Sequence, residues 1–254
     1  MFLVVKRKSL VLGLTLIFAL ALSLTCVGVG NAQTVFFGKS ARKVPVYSVE
    51  TEEKVIALTF DAAWGADKTK GIIDIMNSYG AKGTFFLVGF WIDKYPEETK
   101  LISDSGFDIG NHSENHPHMS KLNKTDISAE IDSVNNRLQK ITGATPIYFR
   151  PPFGDYNNLL LSTLEEKGMI GVQWSIDSLD WKGLSGGQIA ERVLPRAKNG
   201  DIVLFHNNSD HVLDALPIVL EGLKNKGFKF VGLSELVATH DYKIDANGVQ
   251  RATH

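Results

Sequence analysis

Short runs of β-branched and aromatic residues recur along most of this chain, separated by stretches with the apolar spacing of helices. The runs fall at 55–60, 83–88, 107–110, 147–149, 169–174, 201–205 and 228–231. Between them, Ile72, Ile73, Ile75 and Met76 form one apolar helical face. Ile127, Ile131, Val134, Leu138 and Ile141 form a longer one, with Asp126 near its start. Ile189, Val193 and Leu194 follow Ser185, a residue suited to cap a helix. Leu213, Leu216, Ile218, Val219 and Leu223 make a further face. Strand and helix in alternation with short connections predict a parallel sheet, because each helix returns the chain to the same end. About seven such units over roughly 185 residues predict an α/β barrel shorter than the usual eightfold form of ~250 residues.

In a parallel barrel the chemistry sits where the strands end at their carboxyl side. Asp61 ends the first run, in Leu58-Thr59-Phe60-Asp61. His112 and His116 follow the third and stand four residues apart, a spacing at which two imidazoles can converge on one cation. Arg150 follows the fourth, before Pro151-Pro152-Phe153-Gly154, where a guanidinium fork can orient a carboxylate. Asp177, Asp180 and Trp181 follow the fifth run, and His206 the sixth. Histidine there suits acid–base work near neutral pH. Each residue alone has an ordinary structural explanation. Asp61 could cap a helix, the histidines could belong to a polar loop that also holds His118, and Trp181 could be core. Their placement at successive strand ends argues for a site.

The chain has 254 residues and is 44% hydrophobic, enough to bury a sizeable core. Lys and Arg number 27 against 28 Asp and Glu, which excludes the basic footprint of a nucleic-acid binder. Lys6, Arg7 and Lys8 precede an uncharged apolar run, 10–29, and small residues stand at Gly30-Asn31-Ala32. Residues 1–32 therefore read as an export signal cleaved after Ala32, or as a retained signal-anchor that would be the only membrane contact. Cys26, the only cysteine, falls inside this leader, so the exported part has no thiol chemistry. Residues 33–53 read as a linker, 54–240 as the domain, and 241–254 as a loose polar tail.

The ordered set resembles the polysaccharide deacetylases of the NodB-homology type, carbohydrate esterase family four. The carriers are Thr59-Phe60-Asp61, His112-Ser113-Glu114-Asn115-His116, Arg150–Gly154, Asp177–Trp181 and Leu204-Phe205-His206. The resemblance implies a distorted (β/α)7 barrel that removes N-acetyl groups from aminosugars of an N-acetylated cell-wall glycan. It implies a divalent metal, often zinc, held by His112 and His116. It makes Asp61 the general base held by Arg150, and His206 the general acid oriented by Asp180. Trp181 and Leu204 would line the acetyl pocket. Pro151, Phe153 and Tyr156 would contact substrate, the Tyr156 backbone N–H at the oxyanion.

One position departs. The family's first motif continues with a second Asp, the third metal ligand, where this chain has Ala62. A methyl cannot coordinate a cation, so the metal is expected to be weakly held. Asp61 could move onto it, or waters could complete the shell. The alternative is a glycan-binding or morphogenetic protein on the same fold with little or no turnover. The sequence Thr59-Phe60-Asp61-Ala62-Ala63-Trp64-Gly65 is similar to the sporulation-associated, PdaB-type branch, which implies a spore-forming source and spore peptidoglycan as the substrate. Chitin- or xylan-like polymers are a third possibility.

Overall fold

The computed structural model describes residues 42–253. The leader predicted for 1–32, with Cys26, and the first part of 33–53 lie outside the described residues. The main sheet is built from β2 (Val55–Ala62), β3 (Gly83–Leu87), β4 (Asp108–Asn111), β5 (Tyr148–Phe149), β6 (Ile170–Gly171), β7 (Ile176–Asp177) and β8 (Ile202–His206). Their order is β6-β5-β4-β3-β2-β8-β7, all neighbours parallel, with β9 (Lys229–Phe230) beside the start of β2. This is the expected α/β architecture, a distorted (β/α)7 barrel.

The connecting helices are α1 (Thr69–Ser78), α2 (Gly89–Lys94), α3 (Pro96–Asp104), α4 (Lys124–Thr142), α5 (Asn158–Glu166), α6 (Gly186–Val193), α7 (Val212–Asn225) and α8 (Leu233–Leu236). Ser185 caps α6 as expected, in a reciprocal capping box with Gln188. Asp126 lies in the first turn of α4, and Asn123 caps the helix: its side chain accepts from the Asp126 backbone N–H.

Strand parity sorts the core. On β2, Ile56, Leu58, Phe60 and Ala62 join the cluster shared with the helices. Ala57 instead packs with Phe86, Tyr148 and Ile202 from other strands, with Val172, and with Leu233 and Leu236 of α8. Asp61 has the parity of Ala57, so it surfaces at the carboxyl end on the same side.

Three expectations are corrected. The strand expected at 169–174 is cut short to β6, and a separate strand, β7, follows at Ile176–Asp177 without pairing with it. Its backbone is engaged elsewhere: the Gln173 carbonyl accepts from Arg150 Nη2 at 3.0 Å, and the Gln173 N–H donates to the Val46 carbonyl at 2.7 Å. Residues 45–50 are not a free linker. Val46 is fully buried, donates to the Gly171 carbonyl at 2.9 Å, and fills the seam that the shortened strand leaves open. The tail is not loose either. β10 (Tyr242–Ile244) and β11 (Val249–Ala252) form an antiparallel hairpin, and β11 pairs in parallel with β1 (Ser48–Val49). Gln250, buried between them, bonds both the N–H and the carbonyl of Ala238.

Candidate active site

The carboxyl ends of the strands open into a cleft of about 500 Å³. Asp61, His112, His116, Phe153, Trp181, Leu204 and His206, all expected in the site, line it. Arg150 and Asp180 are buried directly behind this lining. Pro151 and Tyr156 are not among the lining residues; the Tyr156 hydroxyl accepts from Arg42 at 3.2 Å.

Asp61 and Arg150 form one unit. Arg150 Nη1 donates to Asp61 Oδ1 at 2.7 Å, and the guanidinium lies 4.1 Å over the Phe86 ring. Burial alone would raise the Asp61 carboxyl. The Arg150 charge, with His112 and His206, more than offsets this and holds it below the usual carboxylate range. Asp61 is thus ionised at neutral pH, and its Oδ2 lies 3.5 Å from His112 Nε2 at the cleft wall.

His206 and Asp180 form the second unit. The His206 ring Nδ1 donates to Asp180 Oδ1 at 2.8 Å, and the His206 backbone N–H donates to Oδ2 at 2.8 Å. Burial opposes the imidazolium, but Asp180 outweighs it and the His206 pKa is raised. Asp180 is itself fixed, since the Ser209 hydroxyl donates to its carbonyl at 3.0 Å. Nε2 of His206 is left for the cleft.

The imidazole pair is poised as donors. His112 Nδ1 lies 2.7 Å from the Arg150 carbonyl. A carbonyl only accepts, so Nδ1 carries the proton and Nε2 presents a lone pair. The His112 and His116 rings are 5.0 Å apart between centroids. Burial, the largest cause, lowers both pKa values against the raising effect of Asp61, that of His116 to about 4, so both are neutral at pH 7. The pair fits two positions around a divalent cation. A catalytic zinc takes three protein ligands. Among the described residues no group of three His, Cys, Asp or Glu side chains converges to hold a metal ion. Ala62, at the place of the family's third ligand, is fully buried in the helix-facing cluster and does not line the cleft.

Backbone strain gathers here. Ser113, His116, Phe153 and Leu179 hold positive φ, four of the five non-glycine residues among those described that do so. Sequence reasoning missed Trp174 and Asn208, which also line the cleft, and it read Trp64 only as part of a motif. Asn208 stands two residues after His206, so the strand-end rule could have flagged it.

A family model for polysaccharide deacetylase matches residues 48–172. The chain is 35% identical over 188 residues to a peptidoglycan-N-acetylglucosamine deacetylase of Bacillus cereus, covering 72% of this chain and 68% of that one. It is 33% identical over 202 residues to the peptidoglycan-N-acetylmuramic acid deacetylase PdaA of Bacillus subtilis, covering 78% and 77%. It spans 62% of the length of the uncharacterised YlxY of the same organism, at 31% identity over 78% of this chain. Among solved structures, the Bc1960 peptidoglycan N-acetylglucosamine deacetylase superposes with TM-score 0.73 at 33% identity, covering 75% of this chain and 91% of that one. A mutant of BA3943, a CE4 family pseudoenzyme, with restored enzymatic activity superposes with TM-score 0.74 at 30% identity, covering 77% and 72%. Identity at this level over most of both sequences settles the kinship: the chain belongs to the polysaccharide deacetylase family.

Proposed function

We propose that this chain hydrolyses the N-acetyl groups of peptidoglycan aminosugars outside the cytoplasmic membrane. One observation carries the reading: a buried Asp61–Arg150 pair and a buried His206–Asp180 pair offer a base and an acid to the same cleft. Asp61 takes the proton of the attacking water, and its Arg150 partner keeps the carboxylate ionised and aimed. As the acetyl C–N bond breaks, His206 Nε2 gives its proton to the departing amine nitrogen. Acetate and a free amine result. Trp181 and Leu204 bracket the acetyl methyl.

His112 and His116 would hold a divalent cation, zinc by family resemblance, loosely because Ala62 supplies no third ligand. A bound cation would polarise the acetyl carbonyl. Export follows from the leader at 1–32, which as a retained anchor would tether the domain to the membrane. The motif around Trp64 supports spore peptidoglycan as the polymer.

A second reading, a glycan-binding protein with little turnover, is favoured by the two-ligand metal pair. The BA3943 likeness supports it too, since that protein is a pseudoenzyme. Acetate release from peptidoglycan, chitin and xylan fragments separates these readings. Release from peptidoglycan alone is expected. Preferential release from chitin or xylan would move the substrate, and glycan binding without acetate would favour the second reading.

A further inference from the structure

We propose that Trp64, with Phe153, forms a sugar-binding subsite beside the reaction centre, taking the pyranose next to the one deacetylated. This rests on the reading of the chain as a glycan deacetylase. Trp64 is 57% exposed and Phe153 61%, although both are large and apolar. The two rings flank His116, Trp64 at 5.2 Å and Phe153 at 4.5 Å between centroids. Phe90 extends the wall at 6.4 Å from Trp64. A single exposed ring is ordinary, but a contiguous cluster of exposed apolar rings marks a binding surface.

Trp64 is also held in place. The carbonyl of the next residue, Gly65, accepts from two fully buried side chains, Trp91 Nε1 at 2.6 Å and Asn207 Nδ2 at 2.9 Å. Gly65 itself turns the loop with φ of 63°. Buried donors thus brace the loop that carries an exposed indole, which is how a binding surface is preorganised. A pyranose presents a face of C–H bonds that packs on the electron-rich face of an aromatic ring, while its rim hydroxyls need polar partners. Asn208 lines the same cleft and can supply one. The aromatic wall begins at His116, one of the imidazoles expected at the reacting acetyl group. Its occupant is therefore the neighbouring sugar of a chain rather than the reacting sugar itself.

The test compares binding of a peptidoglycan tetrasaccharide and of free N-acetylglucosamine to the full domain, with Trp64→Ala, Trp64→Phe and the unaltered protein, folding checked by near-UV circular dichroism. Trp64→Ala is expected to weaken the tetrasaccharide about tenfold, as loss of one aromatic contact would, and to leave the single sugar unchanged. Trp64→Phe should restore most of the loss. Unchanged tetrasaccharide affinity in Trp64→Ala overturns the subsite, and so does equal loss for both ligands. Acetate release by the unaltered protein is read in parallel. Its absence would sink the deacetylase reading while leaving a length-dependent Trp64 effect standing.

Discussion

Asp180 grips His206 at two points, its Oδ1 on the ring Nδ1 and its Oδ2 on the backbone N–H, each at 2.8 Å. The partner fixes the tautomer and raises the imidazole pKa against the effect of burial. A general acid must be protonated, so turnover should fall as pH rises through this raised value. Asp180→Asn removes the charge that raises it. The alkaline limb of the pH–rate profile should then move to lower pH, and turnover should drop. His206→Ala should cost about 10²–10⁴-fold in kcat with metal content unchanged. Metal loss in that variant would mean His206 is a ligand. Stability has the same sign: the His206 contribution is present below the unfolded pKa near 6.5 and is lost as pH rises through the folded one.

The Asp61 carboxyl is displaced the other way. Its pKa is depressed because Arg150 outweighs burial. The stability it contributes is present above the unfolded value near 3.9 and is lost as pH falls through the folded one. Both partners are buried, so Arg150→Ala leaves an uncompensated carboxylate. A loss of about 3–5 kcal/mol in denaturant unfolding is expected. A loss under 1 kcal/mol would mean that water or another cation reaches Asp61.

Ala62 sits fully buried with its neighbours in the helix-facing cluster. Ala62→Asp buries a carboxylate there unless it turns toward His112 and His116. The metal-free variant should therefore melt below the unaltered protein. Zinc should raise its Tm, by about 2.7 kcal/mol of stabilisation at a hundredfold excess over Kd. The unaltered protein should respond less. A variant whose Tm ignores zinc would refute the assignment of position 62 as the third-ligand place.

Helix α4 holds the histidine loop. Glu114 takes a two-pronged bond from Arg137, Nη1 at 2.9 Å and Nη2 at 3.1 Å, while Arg137 Nε pairs with Asp93 at 2.9 Å. Asn115 donates twice to Glu130, each at 2.8 Å. Ser113 and His116, both at positive φ, lie within this grip. Arg137→Ala should lower metal affinity and kcat by about 10–100-fold, as for partners that orient metal ligands, with glycan KM little changed. An equal rise in KM would place the effect on substrate binding instead. A Cβ at Gly89 would lie 2.2 Å from Glu114 Oε2, so Gly89→Ala should act in the same direction.

The elements that carry the chemistry were legible because they are local. The apolar run at β2 (Val55–Ala62), the apolar face of α4 (Lys124–Thr142) and the cap at Ser185 need only a few neighbouring residues to be read. The motif residues then converge because parallel strands present their ends together. What escaped depends on distant pairing. Ser48 meets Val249, and Val46 meets Val172, across separations no periodicity records. Tyr242–Ala252 looked polar because a hairpin lying on a domain needs to cover only one face. The shortening of 169–174 follows from Arg150 and Val46 claiming the Gln173 backbone, a contest invisible along the chain.

In the proposed reaction Asp61 and His206 act as base and acid on an acetamide. Acetate released from N-acetylated peptidoglycan, measured across a zinc titration for the unaltered domain and Asp61→Asn, tests it most directly. Zinc-dependent release by the unaltered domain and near-complete loss in Asp61→Asn, with glycan binding retained, is the predicted result. Glycan binding with no acetate at any zinc concentration, or equal release by Asp61→Asn, would contradict it.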